Sequence, residues 1–192
     1  MRKLNFVIAI IIILSAFCCK FNERNRNLSE KTILPSDFIQ VILRQTATIE
    51  QESNGLVIEN QIVFWGNDSL ICSTLDQLAS EEMLFFYTSQ NVCPPCLMIT
   101  IELLETYFPD YKNNNNIVFI SPDWATRLRN DCYGKRLLTL QNGLLGLAIE
   151  KEGLPFFFRL SRDLRISSVH LVAKVDFERT RTYLEYYAKL LK

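Results

Sequence analysis

The sequence predicts an α/β fold in which a central mixed β-sheet is flanked by helices and preceded by an N-terminal hairpin. Three observations carry that expectation. Met83 to Tyr87 (MLFFY) and Ile117 to Ile120 (IVFI) are short, wholly apolar runs, as expected of strands buried on both faces. Between them a helical pattern runs from Pro95 to about Tyr107 and stops before Pro109. Strand, helix and strand within roughly 40 residues form a βαβ unit, whose parallel strands need a right-handed crossover. The third observation lies downstream: Phe156 to Leu160, a turn at Arg162-Asp163, and Leu164 to Val172 read as an antiparallel hairpin.

The remaining elements run in chain order. Ser36 opens a short helix with Phe38, Val41 and Ile42 on one face. Leu56 to Trp65 reads as a strand, Gly66-Asn67-Asp68 as a turn, and Ser69 to Cys72 as the returning strand of a leading hairpin. A short helical turn begins near Ser73 to Leu78. Residues 124 to 152 read mostly as helix and loop. Asp176 to Leu191 closes the chain as a helix with Phe177, Tyr183, Leu184, Tyr187 and Leu191 toward the core. No internal repeat is present.

The amino terminus reads as an address. Met1-Arg2-Lys3 is basic, and Phe6 to Phe17 is an apolar run of 12 residues. A bilayer-spanning helix needs about 20, so the run suits a signal-peptide core. Cys18-Cys19 follows directly, a pattern similar to a bacterial lipoprotein signal with Cys18 or Cys19 as the lipidated residue. Bulky Phe17 stands where small residues are usual. Lys20 to about Leu34 is polar and reads as a tether. Export places the chain where disulfides persist.

Composition excludes several functions. The 192 residues are 48% hydrophobic and 22% charged, enough for one packed domain. Cationic and anionic residues number 21 each. Losing Arg2 and Lys3 with the signal leaves 19 against 21, giving no basic excess for nucleic acid. One histidine, His170, argues against a multi-histidine metal site. Its bland reading is a surface or hydrogen-bonded histidine.

Six cysteines are the anomaly. Cys93-Pro94-Pro95-Cys96 falls directly after a buried strand and at a helix start. There the helix presents unpaired N–H groups and the positive end of its dipole, which favour a thiolate on Cys93. Two intervening residues bring Cys96 round one turn, within disulfide reach. Pro95 suits the first turn, and Pro94 with it stiffens the pair. Half a zinc site is the competing reading, but Cys72, Cys132 and His170 supply no second ligand pair at metal spacing. No metal or organic cofactor is therefore expected. A copper-carrier role for His170 with the two cysteines is disfavoured by their two-residue spacing. Cys72 and Cys132 are either a second disulfide or separate buried thiols.

From about Val57 to the carboxyl terminus, and most strongly over Leu84 to Cys96 (LFFYTSQNVCPPC), the chain resembles the thioredoxin-like superfamily, specifically the membrane-attached TlpA-type thiol oxidoreductases. Gly153-Leu154-Pro155-Phe156-Phe157-Phe158 resembles that family's second element. The resemblance implies that Pro155 is cis against the cysteine pair and that Leu154 and Pro155 contact an extended substrate chain. Three positions depart from the family: Val92 replaces a usual tryptophan, Ile99 a frequent glutamate, and Leu154 a frequent threonine. The resemblance divides the chain into a signal segment (1–19), a tether and N-terminal extension (20–55) and a thioredoxin-like domain (56–192).

It implies a lipoprotein of the bacterial cell envelope, facing the periplasm or the surface and held by its N-terminal lipid. Its partners would be extracytoplasmic protein thiols or disulfides, reduced through Cys93 and Cys96, with a membrane electron donor to recharge the pair. The second reading retains the fold as an anchored binding or scaffold module, with CPPC a structural disulfide.

Overall fold

A computed structural model describes residues 36–65, 68–80, 83–122 and 131–191, with the backbone alone for 68–72. The signal segment, the tether and the candidate lipidation residues Cys18 and Cys19 lie outside them. The chain divides into two units, Met1–Phe38 and Ile39–Lys192. Of the first, only the start of a helix is described; the sheet and the thiol pair belong to the second.

Helix α1 spans Ser36–Ser53. Its inward face is Thr46, Ile49, Glu50 and Ser53, at three- and four-residue spacing. The helix is longer than the sequence predicts, because polar Thr46, Glu50 and Ser53 occupy positions where an apolar stripe would have announced it. Strands β1 (Ile62–Trp65) and β2 (Asp68–Thr74) form the expected leading hairpin, Ile62 opposite Thr74. Strand β1 starts later than its apolar pattern suggests; upstream, Val57 makes only an isolated bridge to Arg165. A one-turn helix, α2 (Leu75–Leu78), follows.

Strand β3 (Leu84–Tyr87), helix α3 (Pro94–Tyr107) and β4 (Ile117–Ser121) form the predicted βαβ unit, with Leu84 beside Ile117 and Tyr87 beside Ile120 in parallel. Residues 131–140 correct an expectation. Asp131–Cys132 (β5) and Lys135–Leu140 (β6) are strands, where the sequence pattern suggests helix and loop. Tyr133 and Gly134 turn between them at φ 52° and 80°, a left-handed pair that suits a tight hairpin. Charged Lys135 and Arg136 mask the strand pattern of the residues beyond them. Lys135 is nevertheless buried, its Nζ donating to the Asn114 carbonyl at 2.7 Å.

A 3₁₀ turn (Ala148–Glu152) leads into β7 (Phe156–Leu160), β8 (Ile166–Leu171) and the closing helix α4 (Phe177–Leu190). Asp176 caps α4, its side chain accepting from the Arg179 N–H. The strand order is β2-β1-β6-β4-β3-β7-β8, with β5 beside β6. Strands β3, β4 and β6 run parallel, and the outer pairs are antiparallel. This is the expected mixed sheet flanked by helices.

Alternation along the central strands builds two cores. Leu84, Phe86, Ile117, Phe119 and Phe157 face α3 and α4. Phe85, Tyr87, Val118, Ile120, Phe156 and Phe158 face the other layer, where Ile49, Leu75, Leu78 and Ile149 pack. The three phenylalanines of β7 each pack against their cross-strand neighbour in β3, two of the pairs stacked and Phe86–Phe157 tilted, at ring separations of 5.1, 4.8 and 4.5 Å. Such pairs contribute about 0.5–1.5 kcal/mol each beyond area burial. They fix the register that positions the site.

The sheet's β8 edge is covered by α1 and the segment after it. Glu50 Oε1 accepts from the Leu171 N–H and Asn54 Oδ1 from the Val169 N–H. Gly55 N–H donates to the Ile166 carbonyl, and Ile166 N–H to that of Leu56. The outward-facing groups of an exposed edge strand are thereby satisfied.

A candidate thiol site at the start of helix α3

Strand β3 ends at Tyr87, and Thr88 prolongs the ladder by donating its N–H to Ile120 at 3.1 Å. The chain then bends through Ser89 to Val92, which is buried, and delivers Cys93 to the N-cap of α3. Helix α3 begins at Pro94, one residue earlier than the sequence predicts, with Pro95 second. Cys96 and Leu97 follow, with Thr100, Ile101 and Leu104 continuing the buried face.

The two sulfurs meet. Cys96 Sγ lies 2.7 Å from Cys93 Sγ, its thiol directed at the outer sulfur. Cys93 is half-buried, whereas Cys96 is 1% exposed. Burial, reinforced by the neighbouring Cys93 sulfur, pushes the Cys96 thiol up to about 12; the charge of Lys174 acts in the opposite direction. Sequence reasoning missed Lys174, an exposed lysine after a strand that carries no signature.

The helix start is poorer in donors than the sequence suggests. Prolines at the first two helical positions have no N–H, and the Leu97 N–H is taken by the Cys93 carbonyl at 3.1 Å. Among these first-turn groups, the backbone donor left beside the sulfurs is that of Cys96.

Leu154 and Pro155 come to the same end of the sheet. Phe156 pairs with Tyr87, so the residue before it falls beside Thr88, at the start of the cysteine loop. A Cβ added to Gly153 would stand 3.9 Å from the Asn91 carbonyl. Pro155 is buried, and its carbonyl accepts from the Val172 N–H at 2.9 Å. The expected cis bond is absent: the Leu154–Pro155 peptide is trans, and no cis peptide occurs among the described residues. Gly153, two residues before the proline, is left-handed at φ 64°.

The other singled-out residues lie elsewhere. His170 is 3% exposed, not at the surface; Nε2 is 2.9 Å from Thr180 Oγ1, and its ring stacks on Tyr183. Beside it, Arg179 forms an ion pair with Glu50. Cys132 is buried in the core beneath α3. The Cys72 side chain is outside the described residues. Among the described residues no cluster of three or more His, Cys, Asp or Glu is arranged to hold a metal.

No family model matches the sequence, and no curated protein is similar to it. Among solved structures, a thioredoxin-like protein from Bacteroides caccae is 16% identical, with a TM-score of 0.42, covering 81% of this chain and 57% of that one. The mitochondrial 2-Cys peroxiredoxin of Plasmodium falciparum is 10% identical, at TM-score 0.40 and coverages of 72% and 93%. BsSco, a Sco-family cytochrome c oxidase assembly protein, is 11% identical, at TM-score 0.41 and coverages of 73% and 99%.

Proposed function

We propose that the chain is an extracytoplasmic thiol–disulfide oxidoreductase that works as a reductant through Cys93 and Cys96. The observation that carries this reading is the sulfur pair itself: a reachable Cys93 at a helix start, backed at 2.7 Å by a sealed Cys96. Cys93 thiolate attacks one sulfur of a substrate disulfide. The substrate S–S bond breaks, a mixed disulfide forms, and the departing thiolate takes a proton. Cys96 then loses its proton and attacks Cys93, which releases the second substrate thiol and leaves a Cys93–Cys96 disulfide. Two electrons pass to the substrate.

The second step answers the problem posed by the high Cys96 pKa. Once Cys93 is in a mixed disulfide it carries no charge and no longer accepts the Cys96 thiol. Two of the three causes that raise Cys96 then vanish, leaving burial alone. The departing substrate thiolate can accept the proton, so no buried carboxylate is required. Leu154 and Pro155, beside the cysteine loop, are the proposed substrate contacts. Lipidation at Cys18 or Cys19, attachment to the bacterial envelope and recharging by a membrane electron donor complete the proposal.

The test uses the full chain and a chromogenic disulfide. Wild type should release two equivalents of thiolate per reduced pair, Cys93→Ser none, and Cys96→Ser one, with the mixed disulfide trapped. A second reading, an anchored binding module with CPPC as a structural disulfide, is favoured by the trans Leu154–Pro155 bond. It predicts no turnover by wild type in the same assay.

A further inference from the structure

We infer that the cavity between α1 and the turn before β7 is a substrate subsite, one that seats the apolar side chains flanking the cysteine in an extended segment of a protein substrate. The inference rests on the thiol-exchange reading and adds what that site selects. The cavity holds about 520 Å³, within the roughly 300–1,000 Å³ typical of ligand pockets. Ile42 and Ile49 of α1 form one wall, Leu154 the other, and Leu171 and Ala173 the floor.

Leu154 joins the cavity to the thiols. It lines the cavity and precedes Pro155, which the β3–β7 register sets beside Thr88 at the head of the cysteine loop. Its N–H and C=O make no backbone hydrogen bond among the described residues. A chain held at Cys93 and paired to Leu154 in extended form would therefore send alternate side chains into the cavity.

The lining also says what it would seat. The Leu171 N–H on the floor is already taken by Glu50, so the floor offers side-chain surface in place of strand pairing. Exposed Arg44 and Glu152 both line the cavity, one charge of each sign. Gln45, Thr46 and Thr48 add polar groups from α1, and Ile42, Ile49, Leu154, Leu171 and Ala173 supply the apolar contact on which the proposed recognition rests.

The experiment compares two peptide disulfides, one with leucine and phenylalanine beside the cysteine and one with serine and glutamate, using full-length reduced protein. Wild type should reduce the apolar peptide at least about tenfold faster in kcat/KM, the discrimination that one or two apolar side chains give. Gln45→Trp, which fills the mouth from an exposed helix position, and Ile42→Glu should each bring that ratio within about twofold. Equal rates on the two peptides in wild type, or an unchanged ratio in both variants, would overturn the subsite and leave the exchange reading standing. Failure of wild type on both peptides and on the chromogenic disulfide would overturn both. An unchanged ratio in Gln45→Trp together with conversion of a dimer to a monomer would overturn the subsite and assign the cavity to a second copy of this chain.

Discussion

Cys93 and Cys96 are separated by two prolines and by an unequal share of solvent, and that inequality underlies the roles proposed for them. With Cys96 pushed up to about 12, only about one in ten thousand of its thiols is ionised at pH 8. Iodoacetamide at pH 8 should therefore label Cys93 at least a hundredfold faster than Cys96, read by peptide mass mapping of the reduced chain. Thr88 offers a second test. It is fully buried, and its hydroxyl has no hydrogen-bond partner among the described residues. Thr88→Val removes that desolvated oxygen at nearly constant volume and should raise stability by about 1 kcal/mol in urea titration. The meeting of the two thiols at a helix start was legible in the sequence because two intervening residues set Cys96 about one turn from Cys93. The isomer of Pro155 was not, since cis and trans differ by only about 0.5–1 kcal/mol.

At the scale of elements, the strands with uniform apolar runs were readable, and the element held by dispersed polar contacts was not. Glu50, His170, Arg179 and Thr180 lie on α1, β8 and α4, and no local pattern announces that they meet. Removing Glu50 by Glu50→Ala leaves the Leu171 N–H without its acceptor and takes away one of the two carboxylates that pair with Arg179, and should cost about 2 kcal/mol. Glu50→Gln, which keeps an acceptor, should cost less in the same denaturation series. Burial, with Arg179 adjacent, lowers the His170 pKa to about 3, whereas an unfolded histidine titrates near 6.5. Below about pH 6.5 the unfolded chain thus binds a proton that the folded chain refuses, and stability falls on acidification. The loss is on the order of 2 kcal/mol between pH 6.5 and pH 5. Burial raises the Glu50 pKa, which works in the opposite sense and trims that slope. Comparing urea midpoints at pH 7 and pH 5, His170→Gln should show the smaller drop.

For the whole molecule, the covering of the β8 edge links the N-terminal extension to solubility. Without α1 and the segment after it, the outward N–H groups of Val169 and Leu171 and the carbonyl of Ile166 would face solvent as a template for another strand. A chain lacking residues 1–55 should elute as higher oligomers in size-exclusion chromatography under conditions where the full chain does not. The βαβ unit and the hairpins at either end were legible from periodicity, whereas the interior strand β6 was not. The role of the extension was not, because its contacts join residues more than a hundred positions apart.

The 2.7 Å between the two sulfurs also bears on survival under oxidative stress. Peroxide reaching Cys93 would convert its thiolate to a sulfenic acid, and the next molecule of oxidant would normally drive it toward sulfinic acid. Here a thiol already touches the reacting atom. Its attack would expel water and close a Cys93–Cys96 disulfide in place of that second oxidation, leaving the pair in a form that thiol exchange can restore.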